Sequence, residues 1–134
     1  MKNDTPFENG KRYYPLSQHY REQFGEKVYK VSVSVAKSCP NREGHKGMTV
    51  CIFCDEWGSA AYHQVRDLSI SRQIQINREA IRKRYKAEKF LIYFQSYTNT
   101  FGHLSGLETL YNKALQEIDV VGLVVGTRPD CLPK

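Results

Sequence analysis

The sequence predicts an α/β domain with a parallel sheet, because segments of strand and helix character alternate along the chain. After a lead-in at residues 1–27, the predicted order over residues 28–134 is strand, long loop, helix, strand, helix, strand. Two of the strands are almost wholly apolar, which is typical of parallel strands covered on both faces. Parallel neighbours need crossover connections, so we expect the two helices to pack on the sheet.

The lead-in and the first strand are predicted from local signals. A short helix is expected over residues 18–24, with Gly25 as its stop. The first strand is expected over residues 28–35, where Val31 and Val33 share one face while Ser32 and Ser34 share the other. We expect the apolar face to meet helices and the polar face to meet a ligand.

Two helices and two strands follow. The first helix is predicted over residues 69–87 with a thin apolar stripe, and the second strand over residues 89–95. The run Ser105-Gly106-Leu107-Glu108 reads as a capping box that opens the second helix. The third strand is predicted over residues 120–127.

Composition is typical of soluble globular proteins. It has 134 residues, 40% of them hydrophobic and 25% charged, and no apolar run long enough to span a bilayer. The first residues, Met-Lys-Asn-Asp-Thr-Pro, show no apolar core of a signal peptide. We therefore predict a cytoplasmic protein without a membrane partner, in a compartment where thiols stay reduced.

The net charge of +6 is concentrated in a basic run at residues 78–89. A basic surface attracts nucleic acid or anionic cofactors. We favour the simpler interpretation, a solvated helix face, because charge runs are common on exposed helices.

Cys39, Cys51 and Cys54 lie in the long loop predicted over residues 36–68, and a connection of this length is usually functional. Gly44 and Gly47 let the segment between Cys39 and Cys51 bend. Thiolates select zinc or iron–sulfur clusters, and three ligands leave an open position on the metal. We predict a metal site here in preference to a redox dithiol.

The residues leave the identity of the metal open. Zinc would recruit His45 or His63 as a fourth ligand, although exposed loop histidines are the simpler interpretation of both. A 4Fe–4S cluster held by three cysteines would instead leave one iron free to bind a small molecule.

Polar loops also follow the second and third predicted strands. In parallel α/β folds, function collects at the carboxyl ends of strands. The second loop contains Gln-Ser-Tyr-Thr-Asn-Thr from Gln95, and the third contains Gly-Thr-Arg-Pro-Asp-Cys from Gly126. Both are expected to face the cysteine loop, with Cys131 as a candidate catalytic thiol.

The run Cys-Pro-Asn-Arg-x-Gly followed by Cys-Ile-Phe-Cys resembles the radical S-adenosylmethionine (SAM) superfamily and, within it, the YhcC-like family of iron–sulfur proteins. Three further segments are similar to that family: Gly-Lys-Arg-Tyr-Tyr-Pro-Leu, Phe-Gln-Ser-Tyr-Thr-Asn-Thr-Phe and Gly-Thr-Arg-Pro-Asp-Cys-Leu. Thr-Arg-Pro-Asp also resembles the radical SAM domain of Elongator-type tRNA-modifying enzymes.

The resemblance implies the N-terminal part of a partial (β/α)6 TIM-like barrel, truncated after its first three strands at residues 28–134. It implies an enzyme with a 4Fe–4S cluster on Cys39, Cys51 and Cys54, whose free iron binds SAM. Reductive cleavage of SAM would give methionine and a 5′-deoxyadenosyl radical that abstracts hydrogen from substrate. A flavodoxin or ferredoxin would supply the electron, and tRNA is the suggested substrate.

The same resemblance assigns residues to the SAM site. Phe53 matches the aromatic position near the adenine, and Arg128 and Asp130 would approach from the third strand. The second loop would hold the SAM amino group through Gln95, Tyr97, Thr98 and Asn99, although the usual Gly-Gly-Glu-like motif is absent.

Three alternatives remain open. For Arg128 and Asp130, the alternative is a local ion pair that shapes the turn at Pro129. For the whole chain, the alternatives are a zinc-stabilised nucleic-acid-binding module and a metal-free cysteine redox protein.

Overall fold

The computed structural model describes residues 10–36, 39–54, 68–95 and 97–132, except for the side chain of His45. Three helices and three strands occur in these residues, together with two short 3-10 turns. In chain order the elements are α1 (Leu16–Phe24), β1 (Val28–Val33), a 3-10 turn (His45–Gly47), α2 (Ile70–Tyr85), β2 (Lys89–Phe94), α3 (Leu104–Leu115), β3 (Val120–Val125) and a 3-10 turn (Pro129–Cys131). The predicted α/β class is confirmed.

The strands form one parallel sheet in the order β1-β2-β3. Val31 lies opposite Ile92, and Ile92 lies opposite Leu123. Helix α2 packs on β1, α3 packs on β3, and the two helices contact each other. Both crossovers therefore cover the same face. Within the described residues the sheet is open and shows no barrel closure.

The core lies between this face and the helices. Val31, Val33, Phe90, Ile92 and Phe94 are fully buried, and Ile74 of α2 packs among them. The predicted alternation in β1 is confirmed for its apolar face. Its polar face differs at one position, because Ser34 is also buried.

The helix ends test the capping signals. Gly25 adopts φ 80° after α1, so the predicted stop is confirmed. Ser69, the first residue of the first predicted helix, is the N-cap of α2, and its hydroxyl accepts from the Arg72 amide at 3.3 Å. The predicted capping box is wrong. The N-cap of α3 is His103, whose carbonyl accepts from the amides of Gly106 and Leu107, and α3 thus begins two residues earlier.

No helix in the described part of the chain has the length and apolar character needed to cross a membrane.

Candidate thiolate site at the carboxyl edge of the sheet

Three loops meet at the carboxyl edge of the sheet, where parallel strands all end. We name them the cysteine loop (residues 39–54, after β1), the second loop (residues 95 and 97–103, after β2) and the third loop (residues 126–132, after β3). Hydrogen bonds join the third loop to the second loop through Asn99 and to the cysteine loop through Arg128. The expectation that the polar loops face one another is therefore met.

Asn99 ties the second and third loops together. Its side-chain amide donates to the carbonyls of Phe94 and Gly126, each at 2.9 Å, and its backbone amide donates to the Gly126 carbonyl at 3.1 Å. The Tyr111 hydroxyl donates to the Asn99 carbonyl at 2.5 Å. The Thr100 hydroxyl contacts that of Thr127. Asn99 thus joins the second loop to the third loop and to the end of β2.

The cysteine loop is bent by residues with positive φ. Gly44 has φ 67° and Gly47 has φ 75°, so the predicted bends are confirmed. Cys51 and Cys54 lie on one turn, in which the Cys54 amide donates to the Cys51 carbonyl at 3.0 Å. Cys39 is buried, the other two thiols are half-buried, and none is in a disulfide.

Arg42 brings a positive charge to the thiols. Its Nη2 donates to Cys54 Sγ at 3.5 Å, and its guanidinium lies 5.1 Å from the centre of the Tyr97 ring. Desolvation lowers the pKa of Arg42, but the bond to Cys54 and the charges of Tyr97, Cys54 and Cys39 outweigh it, and the pKa is raised. This contact places a hydrogen-bond donor against one of the three predicted ligand sulfurs.

The donor atoms suit a soft metal, because all three predicted ligands are thiols. Their arrangement is less complete than the sequence suggests. Within the described residues, no group of three or more His, Cys, Asp or Glu side chains is placed to hold a metal ion. His63 lies outside those residues, as does the side chain of His45, so neither candidate zinc ligand can be placed.

The residues predicted to bind SAM fall into different environments. Phe53 is 82% exposed, whereas Thr98 and Asn99 are only 4% and 3% exposed. Gln95 and Tyr97 are half-buried, and Tyr97 adopts φ 57° beneath Arg42. Asn99 has a structural task in joining two loops, which the sequence did not predict.

Arg128 and Asp130 form an ion pair, with Nε and Nη2 of Arg128 at 3.0 and 2.8 Å from the two carboxylate oxygens. The hydrogen bond from Arg128 is the main reason that the pKa of Asp130 is lowered, and burial opposes it. The local ion pair, the alternative interpretation of these two residues, is therefore present. Arg128 also reaches across to the cysteine loop.

Cys131 is half-buried beside this pair. Burial is the main reason that the pKa of its thiol is raised, and the negative charge of Asp130 adds to the shift. A raised pKa works against forming the thiolate, the nucleophilic form of the side chain. The candidate catalytic role of Cys131 stays a prediction.

A cavity of about 540 Å³ opens between the three loops, within the size range of small-molecule sites. Its lining includes Pro40, Lys46, Phe101, His103 and Cys131. Sequence reasoning did not single out Lys46, Phe101 or His103. The available signal was position alone, because Phe101 and His103 follow the second strand and Lys46 follows the first.

The basic run is only partly a solvated face. Arg78 is 7% exposed and donates to the Ile118 carbonyl at 2.8 Å, while Arg82 pairs with Asp119 at 2.6 Å. These two arginines hold α2 against the segment between α3 and β3. These contacts within the chain explain two arginines of the basic run without a nucleic-acid partner.

Comparison with known proteins finds relatives without an assigned activity. The chain is 37% identical to the uncharacterized protein YtqA of Bacillus subtilis over 134 residues, covering 99% of this chain and 42% of YtqA. It is 38% identical to protein YhcC of Escherichia coli K12 over 111 residues, covering 83% of this chain and 35% of YhcC.

A third relative is archaeal, the uncharacterized protein MJ0486 of Methanocaldococcus jannaschii. The two chains are 31% identical over 132 residues, which cover 98% of this chain and 40% of MJ0486. This chain therefore spans 35–42% of the length of these relatives. No model of a known protein family matches the chain, and no solved structure matches it.

These findings overturn the assignment of the chain to the radical SAM superfamily and to an iron–sulfur family within it. That assignment requires a family match, and none is found. The names of the relatives state no such activity. The assignment is wrong on these comparisons, and any function of the chain has to be argued from its own residues.

Proposed function

We propose that this chain supplies a thiolate metal site, in which Cys39, Cys51 and Cys54 hold a 4Fe–4S cluster at the carboxyl edge of the sheet. The observation that carries the proposal is the placement of three thiols on one loop at that edge, with the Arg42 guanidinium against Cys54. The described side chains do not form a ligand group, so binding would require the cysteine side chains to rearrange locally.

Such a cluster, when bound, supplies an electron and one iron without a protein ligand. A small molecule with neighbouring amino and carboxylate groups is suited to chelate that iron. SAM has these groups, and we propose it as the ligand and its reductive cleavage as the reaction, with a flavodoxin or ferredoxin as electron donor. The substrate, tRNA included, stays a prediction.

The cavity is the place we propose for the small molecule. It adjoins the cysteine loop through Pro40, the neighbour of Cys39, and through Lys46. Phe101 lies in its wall and would pack against an aromatic ring, while the Lys46 ammonium would attract a carboxylate. Both residues act here by binding and orienting the ligand.

We further propose that β1, β2 and β3 begin a longer parallel β/α series of barrel type. Support comes from the parallel strand order β1-β2-β3 with helical crossovers and from the relatives, which are more than twice the length matched here. We also propose a reducing, cytoplasmic compartment, because the four thiols are free in the described structure.

Anaerobic reconstitution with iron and sulfide tests the cluster. We expect a brown protein with bound iron and sulfide, and loss of both in Cys39→Ser, Cys51→Ser and Cys54→Ser. Cys131→Ser is the matched control and should retain the cluster. Adding SAM should change the electron paramagnetic resonance signal of the reduced cluster.

The same experiment separates the competing hypotheses. A protein that binds no iron, or that loses iron equally in Cys131→Ser, refutes the cluster assignment. Binding of one zinc per chain without iron, with unfolding under chelator, would favour the zinc-stabilised module. A cluster that does not respond to SAM would leave the metal site standing and reject SAM.

A further inference from the structure

The guanidinium of Arg128 contacts three side chains at once. Besides its two bonds to Asp130, its Nη1 donates to Asn41 Oδ1 and its Nη2 lies 3.2 Å from Met48 Sδ. The pairing with Asp130 balances its charge and fixes the plane of its donors. Arg128 therefore presents a held, planar group to the cysteine loop.

The two loop contacts fall on opposite arms of the cysteine loop. Asn41 lies two positions after Cys39, and Met48 lies three positions before Cys51. Asn41 also donates from Nδ2 to the Thr49 carbonyl at 3.1 Å, which joins the arms directly. The Arg128 side chain therefore contacts both ends of the segment that lies between Cys39 and Cys51.

The third loop is itself anchored. The Thr100 hydroxyl contacts that of Thr127 and lies 2.6 Å from the Cys131 carbonyl, while Asn99 bonds to Gly126. These contacts connect the third loop to the second loop and thereby to the sheet. Because Arg128 also contacts the cysteine loop, that loop is connected to the sheet as well. Three residues of the cysteine loop have positive φ.

We infer that Arg128 is a positioning residue that holds the two arms of the cysteine loop at the spacing from which the thiols bind metal. The metal part of this inference rests on the proposed function. The positioning itself does not, because it concerns contacts within the chain. This role differs from the SAM contact that the family resemblance implied for Arg128, because it makes Arg128 a support for the metal ligands.

Two measurements on the whole chain test the inference, with Arg128→Lys as the variant. Lysine keeps the positive charge but loses the planar fork. Arg82→Lys is the matched control, since Arg82 pairs with Asp119 at 2.6 Å away from the loops. Circular dichroism and thermal unfolding establish that both variants are folded.

Hydrogen exchange of the metal-free protein is the first measurement. The amides of Glu43, Gly44 and Gly47 are hydrogen-bonded within the loop. We expect them to exchange on the order of tenfold faster in Arg128→Lys than in the wild type, because the arms separate more often. Arg82→Lys should leave these amides unchanged.

Metal affinity is the second measurement, taken by titration with cobalt(II) as a spectroscopic probe of thiolate ligation. We expect Arg128→Lys to lose roughly 10- to 100-fold in affinity, the range found for groups that support metal ligands. If these amides exchange at the same rate in Arg128→Lys and in the wild type, the inference is overturned. It is also overturned if the wild type binds cobalt and Arg128→Lys binds it with equal affinity. If the wild type binds no metal, the proposed function fails and exchange alone decides the positioning role.

Discussion

Gln73 joins helix α2 to Ser34, the residue that follows β1, and its replacement by alanine is expected to be strongly destabilising. The side chain is 2% exposed. Its Oε1 accepts from the Ser34 amide at 2.9 Å, and its Nε2 donates to the carbonyls of Ser34 and Leu68 at 3.1 and 3.0 Å. It therefore serves three backbone groups at the point where the strand becomes the loop.

The magnitude follows from those three bonds. Each contributes about 1 kcal/mol net, so Gln73→Ala removes about 3 kcal/mol. The better helix propensity of alanine returns a few tenths, roughly 0.3 kcal/mol. We expect the free energy of unfolding to fall by about 2.7 kcal/mol, a large part of the stability of an ordinary domain.

Urea unfolding measures this change. With a slope of roughly 2 kcal/mol per molar, the midpoint of Gln73→Ala should fall by about 1.3 M at unchanged slope. The control is Gln75→Ala on the same helix, where an exposed side chain bonds only to Arg72 Nη1 at 2.9 Å in the described contacts. It should change stability by less than about 0.5 kcal/mol. Equal midpoints for the two variants would refute the reasoning.

Three further predictions concern the loop contacts. Asn99→Ala removes one buried and one partly buried hydrogen bond, and it should cost about 2 kcal/mol in urea unfolding. The exposed Asn112→Ala should cost about 0.5 kcal/mol or less, and similar losses in the two variants would contradict the anchoring role. The pKa of Asp130 is lowered below 3.8, mainly by the bond from Arg128, so the contribution of this pair is present above that value and lost as pH falls through the lower folded pKa. The stability difference between the wild type and Arg128→Lys should therefore shrink from neutral to strongly acid pH, and a constant difference would count against the pair. Burial raises the pKa of Tyr111 above 10.0, so its contribution is present below that pH and lost as pH rises through the raised folded value. Tyr111→Phe should flatten the alkaline decline of stability, and an unaltered decline would assign it to other groups.

Local signals in the sequence predicted most of the element boundaries. Strand β1 is predicted over residues 28–35 and observed over Val28–Val33, and helix α2 is predicted over residues 69–87 and observed over Ile70–Tyr85. Such signals work because periodicity and caps act between residues close in the chain. The misplaced start of α3 shows their limit. Ser105 and Glu108 match a capping box, but the His103 carbonyl takes the first helical bonds.

For the candidate site too, local sequence and tertiary structure decided different features. The sequence by itself determined the residue types, three thiols on a loop after the first strand, and the carboxyl edge on which they would lie. Only the tertiary structure decided which side chains meet there. Arg128 contacts Asn41 across 87 positions and Gln73 contacts Ser34 across 39. Pairs so distant in the chain are brought together by the packing of helices on the sheet, and no local pattern encodes them.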